Sequence, residues 1–180
     1  MRTLTSIPGR TLALALGLLL ALAPAASAEQ VTILHFNDYH GHASIPEEGK
    51  PGGLARLAGA IARIRAENAA EGASTLVLIA GDVLQGTPLA TVFRGEVDFK
   101  ALNAVGVDAM TIGNHEFDFG LPNLHRLIDI ADFPVISANI VRKVDGTQVF
   151  PGTVRFMAGD EMIVVFGLTT PETRVTTKPS

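Results

Sequence analysis

The sequence contains no cysteine and no tryptophan, and it has one tyrosine among its 180 residues. Without cysteine the protein cannot use a disulfide, a thiolate nucleophile, an iron–sulfur cluster or a lipid-modified cysteine. Basic residues are also scarce, because 14 Lys and Arg stand against 18 Asp and Glu. A chain with this balance lacks the basic stripe that replaces counterions around phosphates, so we predict no nucleic-acid polymer as a partner.

Residues 1–28 have the three parts of a secretory signal peptide: an arginine-containing start, an apolar run at 12–22 and small residues before Glu29. A membrane anchor or a buried helix is the alternative interpretation, but the run is short for a bilayer and small residues follow Pro24. We therefore predict cleavage before Glu29, export to the periplasm or the extracellular space, and no membrane attachment afterwards.

The remaining residues, 29–180, have the composition of a packed domain. The whole chain is 47% hydrophobic and 18% charged, which is ordinary for a globular protein. Removal of residues 1–28 takes away two arginines and no acidic residue, so the rest carries a formal net charge of −6. Any phosphate chemistry on such a surface requires a metal ion.

Short apolar runs rich in Val, Ile and Leu alternate with helical patterns along this part of the chain. The runs have the length of buried parallel strands, and they cover residues 31–36, 75–80, 109–112 and 134–138. Between them, apolar residues at helical spacing predict helices from Leu54, around 97–105 and after Pro122. A further strand is predicted at 161–168. The alternation predicts an α/β fold with a mainly parallel sheet and a βαβαβαβ order.

Polar, metal-competent residues follow these strands. The loops read NDYHGH at 37–42, GDVLQG at 81–86 and GNHEFDFG at 113–120, and Asn139 follows the fourth strand. Because the carboxyl ends of parallel strands meet at one edge of the sheet, four distant segments can supply one cluster. We therefore expect the functional site at this edge.

Four side chains in these loops are candidate metal ligands: Asp38, His40, Asp82 and Asn114. Asp38 and His40 are two residues apart, so in an extended loop they approach the same side and offer an oxygen and a nitrogen. The Asp82 carboxylate has two oxygens and can bridge two cations, and Asn114 adds a neutral carbonyl ligand. Such a mixed set suits Zn, Mn, Fe or a similar divalent ion without choosing among them.

His115 and Asp118 form the candidate catalytic pair. His115 can act as an acid or a hydrogen-bond donor, and Asp118 is near enough in sequence to hold the imidazole in one tautomer. Any Asp or Asn after a strand also has an ordinary interpretation as a turn or capping residue. Glu116 stays outside the metal set, as a helix-approach residue or a hydrogen-bond partner, and Asn139 either reaches the site or serves a turn. Histidine in two loops, with glycine beside each group, favours a functional site.

Three blocks of the sequence, ILHFNDYHGH, AGDVLQGTPLA and TIGNHEFDFG, resemble the first three signature blocks of the calcineurin-like metallophosphoesterases. They are most similar to the exported branch that contains 5′-nucleotidases, UDP-sugar hydrolases and 2′,3′-cyclic-nucleotide phosphodiesterases. The resemblance covers roughly residues 31–170 in the same order. It implies a layered α/β/β/α sandwich, of which this chain holds the amino-terminal βαβαβαβ portion.

The same resemblance implies a centre with two divalent metal ions that hydrolyses phosphate esters of nucleotides. By motif position the implied ligands are Asp38 and His40 for one cation, Asp82 for both and Asn114 for the other. His115 is implied to contact the phosphate or the leaving group, with Asp118 as its partner. The implied reaction is an in-line displacement at phosphorus, with charge on the transferring group neutralised by both cations.

The sequence departs from the family pattern after the third block. The family completes its metal shells with histidines from later blocks, but no histidine occurs after Asn139. The carboxyl-terminal domain that grips the nucleoside in the nucleotidases has no counterpart here either. We therefore expect residues 29–180 to be the amino-terminal part of a metallophosphoesterase domain that is incomplete.

Three functions are consistent with these observations. The first is a nucleotide phosphohydrolase that requires divalent metal ions. The second keeps the fold and the metals but acts on a sulfonate, as the related thiosulfohydrolases do. The third is an inactive, truncated metal-binding fragment, which the missing histidines favour. The oligomeric state and the leaving group stay open at the level of the sequence.

Overall fold

The computed structural model describes residues 29–43 and 52–177. The predicted signal peptide at residues 1–28 lies outside these residues, and its removal stays a prediction. Within the described ranges, no helix is long and apolar enough to cross a membrane.

A four-stranded parallel sheet forms the centre of the molecule. Its strands are adjacent in chain order, β1 (Val31–Phe36), β2 (Ser74–Ile79), β3 (Ala109–Thr111) and β4 (Val135–Ile136). The four predicted strands and their parallel direction are confirmed. Strand β4 is shorter than predicted because the next two backbone N–H groups leave the sheet: that of Ser137 donates to Pro151 O at 2.9 Å, and that of Ala138 to Gly167 O at 2.8 Å.

Among the described residues, four α-helices occupy the connections between these strands. They are α1 (Leu54–Ala70), α2 (Pro88–Phe93), α3 (Glu96–Val105) and α4 (Leu121–Ile130). Three of them were predicted, and α3 ends at Gly106 in the left-handed conformation, with φ 76°. Helix α2 was not predicted, because six residues are too few to show a helical period. It begins where the Thr87 hydroxyl accepts a hydrogen bond from Ala90 N at 3.2 Å, with Pro88 in the first turn.

The helices form one layer, since right-handed crossovers between successive neighbouring strands all lie on the same side of a sheet. Helix α1 contacts β2 and α3, and α3 contacts α4. The largest fully buried side chains of the core include Phe99, Leu102, Met110, Ile112, Leu124 and Leu127. The α/β class with a parallel sheet is therefore confirmed, and the carboxyl ends of β1, β2 and β3 are held in one row.

An antiparallel hairpin follows this sheet, made of β5 (Thr153–Ala158) and β6 (Glu161–Phe166). Strand β6 was predicted as far as residue 168, whereas β5 was not predicted. One cleft is lined by Ile33 and Met110 from the parallel sheet and by Phe166 from the hairpin. The polar segment after the hairpin contains a short helix, α5 (Thr173–Thr176), which was not predicted.

Candidate active site

The loops that follow β1 and β2 are joined through their backbones at the carboxyl edge of the sheet. The N–H of Asp38 donates to Gly81 O at 3.2 Å, that of His40 to Asp82 O at 3.1 Å, and that of Gly41 to Val83 O at 2.9 Å. These bonds continue the pairing of β1 with β2 beyond the ends of the strands. Residues that are more than 40 positions apart in sequence are thereby held side by side, as the strand order predicts.

Three of the predicted metal ligands have an unusual backbone conformation. Asp38, His40 and Asp82 have φ values of 51°, 48° and 58°, in the left-handed region that residues other than glycine seldom adopt. Such residues cost free energy, and they concentrate at binding and catalytic sites, where the surrounding structure holds them in place. Their conformation places all three on sharp turns directly after the strands.

Two glycines allow the loops after β2 and β3 to approach each other. A Cβ atom on Gly113 would lie 2.7 Å from the backbone nitrogen of Asp82, and one on Gly81, with φ 89°, would lie 2.6 Å from the nitrogen of Gly113. Neither position tolerates a side chain without separating the loops. In the observed arrangement His115 N donates to Asp82 Oδ1 at 3.0 Å, which joins the third loop to the second.

Asp38 and His40 are brought together, but by left-handed turns and not in the extended loop that was predicted. His40 Nδ1 lies 3.2 Å from the carbonyl oxygen of Leu84, and because a carbonyl only accepts, Nδ1 carries the proton. The lone pair is then on Nε2, which lies 3.6 Å from Asp38 Oδ1. A histidine whose second nitrogen donates to a carbonyl is the usual arrangement of a metal ligand. The Asn37 side-chain amide also donates to Asp38 Oδ2.

The donor atoms fit a divalent cation in kind, since they comprise carboxylate oxygens, a neutral imidazole nitrogen and the Asn114 amide oxygen. The Asn114 side chain makes no capping hydrogen bond to the 3-10 helix that follows it, His115–Phe117. Within residues 29–43 and 52–177, however, no group of three His, Cys, Asp or Glu side chains is placed to hold a metal ion by itself. The number of metal ions and the assignment of Asp38, His40, Asp82 and Asn114 as their ligands stay predictions.

His115 and Asp118 form a close pair. His115 Nδ1 lies 2.7 Å from Asp118 Oδ2, and since a carboxylate accepts, Nδ1 is the donor and Nε2 is left for a ligand. Burial lowers the pKa of His115, but the hydrogen bond and charge of Asp118, together with the charges of Asp82 and Glu116, outweigh it, so that the pKa is raised. The His115 ring stands edge-on to the His40 ring, with centroids 4.9 Å apart. The candidate catalytic pair is thus adjacent to the candidate metal ligands.

Glu116 has a role that the sequence left open. It is fully buried, and its carboxylate accepts backbone hydrogen bonds from Asp82 at 3.0 Å, Val83 at 2.8 Å and Gly113 at 2.7 Å. Burial raises the pKa of Glu116, with the three backbone donors acting in the opposite direction. One side chain therefore ties the loops after β2 and β3 together. The sequence gives one signal for this role, an acidic residue close to glycine-containing loops whose backbone N–H groups can donate to it.

Asn139 serves the scaffold. Its Oδ1 accepts from Thr169 N at 2.9 Å and its Nδ2 donates to Thr169 O at 2.7 Å, so that it pairs with the segment after β6. His42, which the sequence left outside the site, is exposed, and its Nδ1 donates to Tyr39 O at 2.9 Å.

Comparison with known proteins gives one consistent family. The family model for calcineurin-like phosphoesterases matches residues 31–174. Protein UshA of Escherichia coli (strain K12) is 44% identical over 144 residues, a stretch that covers 80% of this chain and 26% of that protein. The chain spans about a quarter to a third of the length of the curated relatives it matches.

Two solved structures share this fold. The crystal structure of a 5′-nucleotidase precursor from Thermus thermophilus is 34% identical with a TM-score of 0.71, over 83% of this chain and 30% of that one. The sulfate thiohydrolase SoxB of the same species has a TM-score of 0.76 at 23% identity, over 88% of this chain and 39% of that one. The second likeness shows the fold alone.

Proposed function

The chain belongs to the calcineurin-like phosphoesterase family, and on this premise we propose that it acts in metal-dependent hydrolysis of nucleotide phosphate esters, in the manner of a 5′-nucleotidase. One observation carries the proposal: the His115–Asp118 pair lies beside His40, at the edge where three strand-end loops meet. The names of its relatives, protein UshA and 5′-nucleotidase, support the substrate class. We also propose that the protein works outside the cytoplasm, as residues 1–28 predict.

Two divalent metal ions, Zn, Mn or similar, would be held by the strand-end loops. The proposed ligands are Asp38 and His40 for one ion, Asp82 for both and Asn114 for the other. When bound, such ions neutralise charge on the transferring phosphoryl group and supply a nucleophile at neutral pH. Glu116 accepts from the backbone N–H groups of Asp82 and Val83, and the Asp82 carboxylate itself accepts from His115 N, so both the backbone and the side chain of Asp82 are held in place.

His115 performs the proton chemistry in this proposal. Its Nδ1 donates to Asp118, which leaves Nε2 directed away from the pair and able to meet a phosphate or leaving-group oxygen. The raised pKa of His115 favours the protonated ring, which gives its Nε2 proton to the departing alkoxide oxygen. A general acid of this kind contributes about a hundredfold or more to the rate.

The decisive experiment measures metal content and hydrolysis on the same sample. The chain is loaded with Mn or Zn, its metal stoichiometry is determined by elemental analysis, and turnover is followed with AMP, p-nitrophenyl phosphate and a cysteine S-sulfonate. Tight binding of two ions with turnover of AMP would support the nucleotidase function and exclude the inactive fragment. Turnover of the sulfonate alone would instead support a thiosulfohydrolase-like activity, and tight metal binding without any turnover would support an inactive fragment.

Two substitutions separate the proposed roles. In the complete enzyme, Asp82→Asn should lose metal and turnover together, because a bridging carboxylate contributes charge to both ions. His115→Asn should retain the metal stoichiometry and lose turnover by about a hundredfold. Equal metal loss in the two variants would contradict the roles proposed for these residues.

A further inference from the structure

The segment after β6 crosses the carboxyl edge of the parallel sheet and ends beside the candidate catalytic pair. We call residues 167–177 the strap. At its start, Gly167 O accepts from Ala138 N at 2.8 Å, and Gly167 N donates to Gly152 O at 3.3 Å. The strap therefore begins attached to the end of β4.

Thr169 fixes the strap to the neighbouring strand. It is buried, its hydroxyl donates to Ile112 O at 2.6 Å, and its backbone is paired on both sides with the Asn139 side chain. Ile112 is the residue before Gly113, where the loop after β3 begins. The strap and this loop thus share a rigid anchor.

The far end of the strap reaches Asp118. The Thr177 hydroxyl donates to Asp118 Oδ1 at 2.5 Å, while Asp118 Oδ2 accepts from His115 Nδ1 at 2.7 Å. Each carboxylate oxygen therefore has its own donor, which defines the plane of the carboxylate as well as its position. The Asp118 side chain is only 14% exposed, so water has limited access to replace either donor.

We propose that Thr177 is a positioning residue, which orients Asp118 and through it holds the neutral His115 ring in the Nδ1–H tautomer, so that Nε2 is the nitrogen that takes up and releases the catalytic proton. A carboxylate held by one donor can rotate about its terminal bond and weaken its bond to the imidazole, whereas two opposed donors prevent that rotation. The catalytic part of this role rests on the function proposed above. The structural part, the tautomer of His115, can be measured without metal or substrate.

The test compares three variants of the chain. Thr177→Val removes the hydroxyl at nearly constant volume, and Thr177→Ser retains it. Thr176→Val is the matched control, because the Thr176 hydroxyl is one residue away and donates to Glu172 O at 3.1 Å instead. Long-range ¹H–¹⁵N spectra of the metal-free protein report which ring nitrogen of a histidine carries the proton. The spectra are recorded at a pH at which the His115 ring is neutral. The His115 signals are assigned by their loss in His115→Gln.

We expect the Nδ1–H tautomer to dominate in the unsubstituted chain, in Thr177→Ser and in Thr176→Val. Thr177→Val should show a severalfold larger share of the Nε2–H tautomer. In the metal-loaded protein, Thr177→Val should lower kcat for AMP about tenfold with KM unchanged. The kcat of Thr177→Ser should be within about twofold of that of the unsubstituted chain.

The two proposals fail in different ways. A Thr177→Val spectrum identical to that of Thr176→Val would overturn the positioning role, whatever the activity. A tautomer change confined to Thr177→Val, in a chain that hydrolyses nothing, would support the positioning role and count against the proposed function.

Discussion

Asp98 allows a quantitative prediction about stability and pH. Its side chain is completely buried in α3, and within the part of the chain that the structure describes neither carboxylate oxygen has a hydrogen-bond partner. The same holds for the hydroxyl of the buried Tyr39, whose pKa is raised by burial and by the charge of Asp98. An ionised carboxylate in these surroundings is unfavourable, and burial raises the pKa of Asp98 from 3.8 to about 6.

The sign of the pH dependence follows from this direction. The proton is bound more tightly in the folded state, so the stabilising contribution of the neutral carboxyl group is complete below pH 3.8 and is lost as the pH rises through about 6. The whole loss corresponds to about 3 kcal/mol in the free energy of unfolding, and about 2 kcal/mol of it falls between pH values of about 4.5 and 7.5.

Asp98→Asn removes the titration and keeps the shape. The free energy of unfolding of this variant, relative to that of the unsubstituted chain, should therefore be about 2 kcal/mol higher at pH about 7.5 than at pH about 4.5, which means that the variant is relatively more stable at the higher pH. Urea unfolding in the presence of a chelator measures the free energy of unfolding of the variant and of the unsubstituted chain at each pH. Far-ultraviolet circular dichroism is the probe, because the chain has no tryptophan for fluorescence.

Asp129→Asn is the matched control, since Asp129 is exposed on α4 and its substitution removes the same charge without any burial. We expect its effect to differ by less than about 0.5 kcal/mol between the two pH values. If Asp98→Asn behaves like this control, then Asp98 is not an isolated buried carboxylate and the reasoning is refuted.

Two further predictions concern the contact between the loops after β2 and β3. Glu116→Gln should lower the free energy of unfolding by about 2–3 kcal/mol, because the amide NH₂ of Gln must face one of the three backbone donors. Glu71 is exposed, so Glu71→Gln should change the free energy of unfolding by less than about 0.5 kcal/mol in the same urea assay. Gly113→Ala should weaken Mn binding in calorimetric titrations, because the added Cβ drives Asp82 out of its position. Gly59→Ala, where a Cβ meets no atom within 4 Å, should leave Mn binding intact and raise helix stability by about 0.5–1 kcal/mol.

The local pattern of apolar residues was sufficient to predict the elements whose secondary structure depends on burial. The runs at β1, β2 and β3 are predominantly apolar, a pattern that is typical of parallel strands packed against helices. The polar residues after them mark the ends of strands, so their convergence follows from parallel topology. The pairing of Asp38 with His40, and of His115 with Asp118, followed from their short separations in sequence.

Elements that depend on distant partners were not predictable in this way. Strand β5 includes Arg155 and is mostly exposed on alternate residues, and its extended form depends on pairing with β6. Helix α2 depends on a single capping threonine rather than on a period.

The sequence by itself determined the α/β class, the order of strands and helices, the family resemblance and the set of chemically capable side chains. The tertiary structure alone decided which side chains touch residues of other loops. It placed Glu116 under the amides of Asp82, Val83 and Gly113, and it placed Thr177 on Asp118, 59 positions earlier. The physical reason is that hydrophobic periodicity is a local property of the chain, whereas a hydrogen bond between loops exists only after the sheet has aligned their strands.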